Sequence, residues 1–154
     1  MEYAIRRLVA DADAEQRRRL AVFAVRSLTQ LDGLHDAAEA ELLPAAAHAF
    51  RSACSDPLHT DVDVLRDWIA EIESACVFGD DTSDVLVAAL CGLTCWHRFL
   101  QDGTSGPIHG LAFTLLDVAG FEMYGAELND DVLTNPRVIQ QLQTITELLT
   151  GRDN

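Results

Sequence analysis

Residues 84–101, DVLVAALCGLTCWHRFLQ, limit the fold more than any other part of the chain. The stretch reads as a helix capped by Thr82 or Ser83, and it is apolar all round, with Val85, Leu86, Val87, Leu90, Leu93, Trp96 and Phe99 spread over every side. A helix without a polar face must be enclosed by others, so the rest of the chain has to wrap it. Gly92 weakens the middle of this helix and marks a close helix crossing.

The same stretch holds Cys91, Cys95 and His97, which raises the question of a metal site. Cys91 and Cys95 are four apart and share a face, but His97 lies about 200° round the helix from Cys95. Neither Cys54 nor Cys76 belongs to a CxxC pair that would supply further ligands. The four cysteines are therefore read as reduced, small hydrophobic residues of the core, and no metal or cofactor is expected.

Helix signals recur along the chain. EYAIRRLVA is a short first helix, and Asp11 or Asp13 caps the next, AEQRRRLAVFAVRSLTQL, with Leu20, Phe23, Ala24, Ser27, Leu28 and Leu31 on one face. Gly33 suits the left-handed position that ends it. In AAEAELLPAAAHAFRSA, Pro44 either kinks one helix or starts a second. Thr60 or Asp61 caps DVDVLRDWIAEIESACVF, whose Val64, Leu65, Trp68, Ile69, Ile72, Ala75 and Cys76 repeat at three and four. Pro107 opens PIHGLAFTLLDVAGFEMYG, and Asn135 with Pro136 opens the last helix, buried along Val138, Leu142, Ile145 and Leu148 or Leu149. No strand alternation and no internal repeat is present. The expectation is an all-α fold, one domain over residues 1–154, built as a bundle of six or seven helices.

The charge is large and uneven. The chain carries 25 acids and 11 bases, every base an arginine, for a net charge of −14. Residues 1–26 balance at +2, whereas residues 27–136 set 19 acids against Arg51, Arg66 and Arg98. A field of that sign repels nucleic acid and anionic membrane and speeds encounter with a basic protein. Solubility alone also explains an acidic surface. The longest apolar run, Val85 to Trp96, reaches about two-thirds of a bilayer's requirement, and no secretion signal is visible, so a cytoplasmic location is expected.

The acids gather in three clusters: Asp61, Asp63 and Asp67; Asp80, Asp81 and Asp84; Glu127, Asp130 and Asp131. None has the alternating oxygens, glycine and distal glutamate of a calcium loop. The first two stand at helix starts, where capping and the helix dipole favour aspartate. Catalytic patterns are missing. His35, His48, His59, His97 and His109 are scattered singly, without HExxH or Glu-x-x-His, and there is no GxSxG and no lysine for a phosphate loop. Asp117 and Glu122 sit in an apolar surround, where a carboxylate can do acid–base work or simply edge the helix.

RRRLAVFAVRSLTQL near the start, DVLVAALCGLTCWHRFLQDG in the middle and NPRVIQQLQTITELL at the end together resemble the uncharacterised all-helical bacterial family that contains the YjaG-type proteins. The resemblance implies an all-α fold and carries over no catalytic residue. Small acidic helical proteins also serve as immunity partners of bacterial toxins, which is an analogy and not a reading of residues. The expected role is that of a non-enzymatic protein whose nine clustered acids bind a basic protein partner. The alternative is a self-associating structural or regulatory protein, in which the apolar Phe113, Leu116, Phe121, Met123 and Tyr124 supply a dimer surface.

Overall fold

Pro44 decides the helix count. In the computed structural model, which describes residues 2–75, 82–124 and 136–151 (backbone alone for 75 and 121–124), Pro44 starts a second helix, one of the two outcomes its position allowed. The described helices are α1 (Glu2–Asp11), α2 (Ala14–Leu28), α3 (Leu34–Glu41), α4 (Pro44–Ser55), α5 (Val62–Ala75), α6 (Asp84–Asp102), α7 (Gly106–Tyr124) and α8 (Pro136–Thr150). Eight therefore replace the expected six or seven. The cause is local: Leu42 and Leu43 are extended, with ψ of 147° and 153°, and Pro44 disfavours helical backbone at Leu43 just before it. Pro44 then takes the first helical position, where its missing N–H removes no bond. No strand occurs among the described residues.

The ends of α2 combine one expected device with one correction. Asp13 Oδ1 accepts from the Gln16 N–H at 2.8 Å, and Gln16 Oε1 accepts from the Asp13 N–H at 2.9 Å, forming a capping box. Arg17 turns back and donates to the carbonyls of Val9 and Ala10 at 2.9 and 3.0 Å, so it closes the end of α1. At its other end α2 stops at Leu28, three residues earlier than the apolar pattern suggested. The Thr29 hydroxyl donates to the Val25 carbonyl at 2.7 Å there. Gly33 is left-handed (φ 78°) as expected, but it leads into α3 and does not cap α2.

Helix α6 lies at the centre and packs against α2, α3, α5 and α7. Leu86, Ala89, Leu93 and Trp96 are buried, and all eight helices contribute side chains to one core cluster. Gly92 is the close crossing expected of it: a Cβ there would lie 2.9 Å from Leu28 Cδ1 and 3.1 Å from Leu28 Cβ. The indole of Trp96 donates to the Pro57 carbonyl at 3.0 Å, which ties the lead-in of α5 to the last third of α6. Gly103 ends α6 in the left-handed region (φ 62°), its N–H donating to the Phe99 carbonyl at 2.8 Å.

Helix α7 buries Ile108, Leu111, Ala112, Leu115 and Leu116, a three-and-four spacing, against α6, α2 and α8. Leu116 is therefore core and not dimer surface. Phe113 is half-buried against the core, and the side chains of Phe121, Met123 and Tyr124 lie outside the described residues. Helix α8 starts at Pro136 and buries Val138, Ile145 and Leu149, with Leu142 and Leu148 half-buried. Asn135, its expected cap, and Cys76 also lie outside the described residues. Among the described residues, no helix is long and apolar enough to cross a membrane.

Two glycines test the packing in opposite directions. Gly92→Ala should destabilise by about 1–3 kcal/mol, because the backbone-bound Cβ of Leu28 must yield as well as its flexible tip. Gly110→Ala meets only Cys95 Sγ, at 2.8 Å, which can rotate away, so its helix-propensity gain of up to about 1 kcal/mol should survive. Denaturant melts of the two variants check the contrast. Trp96→Phe should lose about 2 kcal/mol in the same assay, from the lost hydrogen bond, the stranded Pro57 carbonyl and the smaller ring.

Candidate functional site

Part of the acidic surface is built from helix starts. At the start of α5, Asp61 caps the helix: its Oδ1 accepts from the Asp63 N–H at 2.9 Å, and its carbonyl accepts from the Leu65 N–H. Asp63 and Asp67 flank Arg66 at 3.4 Å each. All three aspartates are exposed, so these pairs contribute little to stability and leave the cluster net acidic. Asp84, also exposed, is the first residue of α6. Ser83 stands at the cap position there but makes no side-chain cap bond. Its N–H instead donates to Glu41 Oε1 at 2.7 Å, which joins the end of α3 to the start of α6.

Trp96 marks the end of α6 nearest the α5 lead-in, and Asp84 lies 12 residues away, about 18 Å along the helix axis. Asp80, Asp81, Glu127, Asp130 and Asp131 lie outside the described residues. The charge between the described clusters is carried by residues that the sequence reading did not single out. Glu71 follows Asp63 and Asp67 at helical spacing on α5, and Glu73 stands beside α6. All twelve described acids from Asp32 to Asp102 are exposed. Their i, i+4 spacing was the available signal for Glu71.

The cysteines require a correction. Cys54 is core, and burial pushes its thiol up to about 12, which leaves it inert. Cys91 is exposed and not core as expected, whereas Cys95 is half-buried and packs against the edge of the core. The reason is that α6 is not enclosed on every side: Val87, Cys91, Arg98 and Leu100 reach solvent. A groove of about 380 Å³ opens there, lined by Glu73, Leu90, Cys91, Thr94, Cys95 and Arg98. Burial raises the Cys91 thiol, and the half-buried Asp117 carboxylate on α7 raises it further. Burial and the neighbouring Cys91 raise the Cys95 thiol, while Arg98 opposes them. Both side chains are thus held as neutral thiols, the weaker nucleophilic form. No histidine lines the groove to act as a base. Among the described residues, no group of three His, Cys, Asp or Glu is placed to hold a metal ion.

Two further grooves flank α2. One, of about 440 Å³, has a floor of Phe23, Leu31, Leu115 and Val118 and a rim that includes Ser27, Gln140 and Thr144. The other, of about 400 Å³, is lined by Glu15, Arg18, Arg19, Val22, Phe23, Arg26 and Leu148. Neither sets a nucleophile beside a base. No family model matches the chain, no curated protein matches it, and no solved structure matches it.

Thiol labelling tests the cysteine assignments. In a Cys76→Ser background, an aromatic disulfide reagent should modify native Cys91 first and leave Cys54 untouched until the protein unfolds. Only the thiolate reacts, so a raised thiol lowers the reactive fraction at neutral pH. The Cys91 rate should therefore keep climbing above about pH 8.5, where a free cysteine begins to level off. A plateau below that pH would contradict the assignment.

Proposed function

We propose that this chain is a non-enzymatic helical binding protein whose acidic faces engage a basic protein partner, for instance as the immunity protein of a toxin. The observation that carries this reading is the exposure of every described acid from Asp32 to Asp102 over a stretch with only three arginines. Two of the three are already engaged, Arg51 with Glu39 at 2.9 Å and Arg66 with Asp63 and Asp67. The α5 and α6 surfaces therefore keep most of their negative field. Such a field acts on association rate and on rejection of acidic partners more than on final affinity. Capping accounts for Asp61, but it does not account for Glu71 and Glu73 in the second half of α5.

The test is capture from the source lysate at low and high salt, with the wild type beside an Asp63→Arg, Asp67→Arg variant. A basic protein held by the wild type at low salt, released by salt and bound about tenfold or more slowly by the variant is the expected outcome. Capture of the same proteins at the same rates by both would remove the reading. The variant should melt about 1–2 kcal/mol below wild type and still fold, because both aspartates are exposed but Asp63 lies in the first turn of α5 and both face Arg66.

A further inference from the structure

The molecule's densest basic surface is on α2, in a chain of net charge −14. Arg17 is used up in closing α1, and Arg19 is held by Glu15 at 2.9 Å. Arg18 and Arg26 are exposed and have no ion pair among the described residues, although acids outnumber bases by more than two to one. Between them lie Val22 and Phe23, which with Leu148 of α8 form the apolar floor of the groove of about 400 Å³. Two unpaired cations thus border a half-buried apolar trough.

Arg18, Val22 and Arg26 recur at four and eight, so the two arginine positions are about 12 Å apart along the helix. The outer face of α5 carries the complementary pattern. Asp63, Asp67 and Glu71 recur at the same spacing, again over about 12 Å. Beside them run Val64, which is 42% exposed, and the half-buried Trp68. Arg66 is shared by Asp63 and Asp67, and the Glu71 carboxylate has no ion pair among the described residues. The two faces cannot meet within one chain, because α6 packs between α2 and α5.

We propose that the groove on α2 and α8 receives the α5 face of a second copy of this chain, with Arg18 and Arg26 meeting the acids spaced eight apart and Val22 and Phe23 meeting Val64 and Trp68. The contact joins unlike surfaces, so each added copy leaves one groove and one α5 face free. Assembly then proceeds as an open chain or closes as a ring. The net repulsion between copies acts over longer range than the contact. At 0.15 M salt the Debye length of about 8 Å screens that repulsion while leaving close ion pairs largely intact. This inference goes beyond the reading that a foreign basic partner is bound, and it does not depend on it. Self-association would occupy part of the same acidic surface and compete with such a partner.

Sedimentation of the full chain across a concentration series tests it. At 0.15 M salt the wild type should gain mass with concentration, and at 1 M salt it should return towards monomer. Arg18→Glu with Arg26→Glu, and separately Asp63→Arg with Glu71→Arg, should each weaken self-association by about tenfold or more. Mixing the two variants should restore assembly, since the basic groove of the second then meets the acidic α5 of the first. Circular dichroism melts confirm that both variants fold. A wild type that stays monomeric up to millimolar concentration at 0.15 M salt overturns the proposal, whether or not it binds an added acidic peptide. Assembly that both variants retain unchanged overturns it too. Either failure leaves the lysate capture result standing, because the isolated protein alone is measured here.

Discussion

The contact of Leu28 on Gly92 fixes the arrangement that the other helices depend on. With no side chain at residue 92, α2 comes close enough to α6 for Leu28 Cβ to sit within 3.1 Å of where a Cβ would stand. α2 is then held against the central helix along one side, and α7 and α8 both pack on α2 as well as on one another. Rotating α2 about its axis would drive Leu20, Ala24 and Val25 out of the core and turn Arg18 and Arg26 in. The steric fit at one glycine therefore also settles which residues of α2 meet water.

The core is apolar apart from Thr29 and two buried ring nitrogens, Nε2 of His97 and Nε2 of His109, which have no hydrogen-bond partner among the described residues. Among the described residues, Thr29 is the buried polar one, and its hydroxyl is satisfied by the Val25 carbonyl. Among the described residues no carboxylate or guanidinium is buried, and the ion pairs formed by Arg6, Arg7, Arg19, Arg51 and Arg66 avoid the desolvation penalty of a buried pair. These pairs are exposed and individually weak. Electrostatics in this molecule thus acts outward, on encounter and association, while apolar packing holds the fold.

Much of this was legible in the sequence. The all-helical class, the centrality of α6, a cap at Asp11 or Asp13, the Gly92 crossing and the Pro136 start follow from residue types whose backbone or packing demands are local. The errors arise where the outcome depends on neighbours. Whether Pro44 kinks or divides a segment turns on the extended backbone of Leu42 and Leu43, which a pattern of apolar positions does not report. Cys91 looked like core because α6 is apolar all round, but among the described residues the packing of α5 and α7 leaves its side of α6 open as a groove, with Cys95 at the groove's inner edge. Among the acidic clusters, spacing along the chain revealed that Asp61, Asp63 and Asp67 share a helix start. It could not reveal that Asp84 stands at the far end of α6 from them, since that follows from how α5 and α6 are joined and tied at Trp96.

The short helix α3 has a consequence for how the molecule assembles and opens. Eight residues cannot persist as an isolated helix in water, since nucleation is unfavourable and too few turns follow to offset it. α3 therefore forms only once α4 and α6 are present to bury Leu34 and Ala38, and it is among the last elements to order. It is correspondingly among the first to let go in the native state, as a sub-global opening well below the free energy of full unfolding. Because Glu41 holds the Ser83 N–H, each such opening also uncaps the first turn of α6. Backbone amides of residues 34–41 and of Ser83 then share one exchange event, although more than forty residues separate them in the chain.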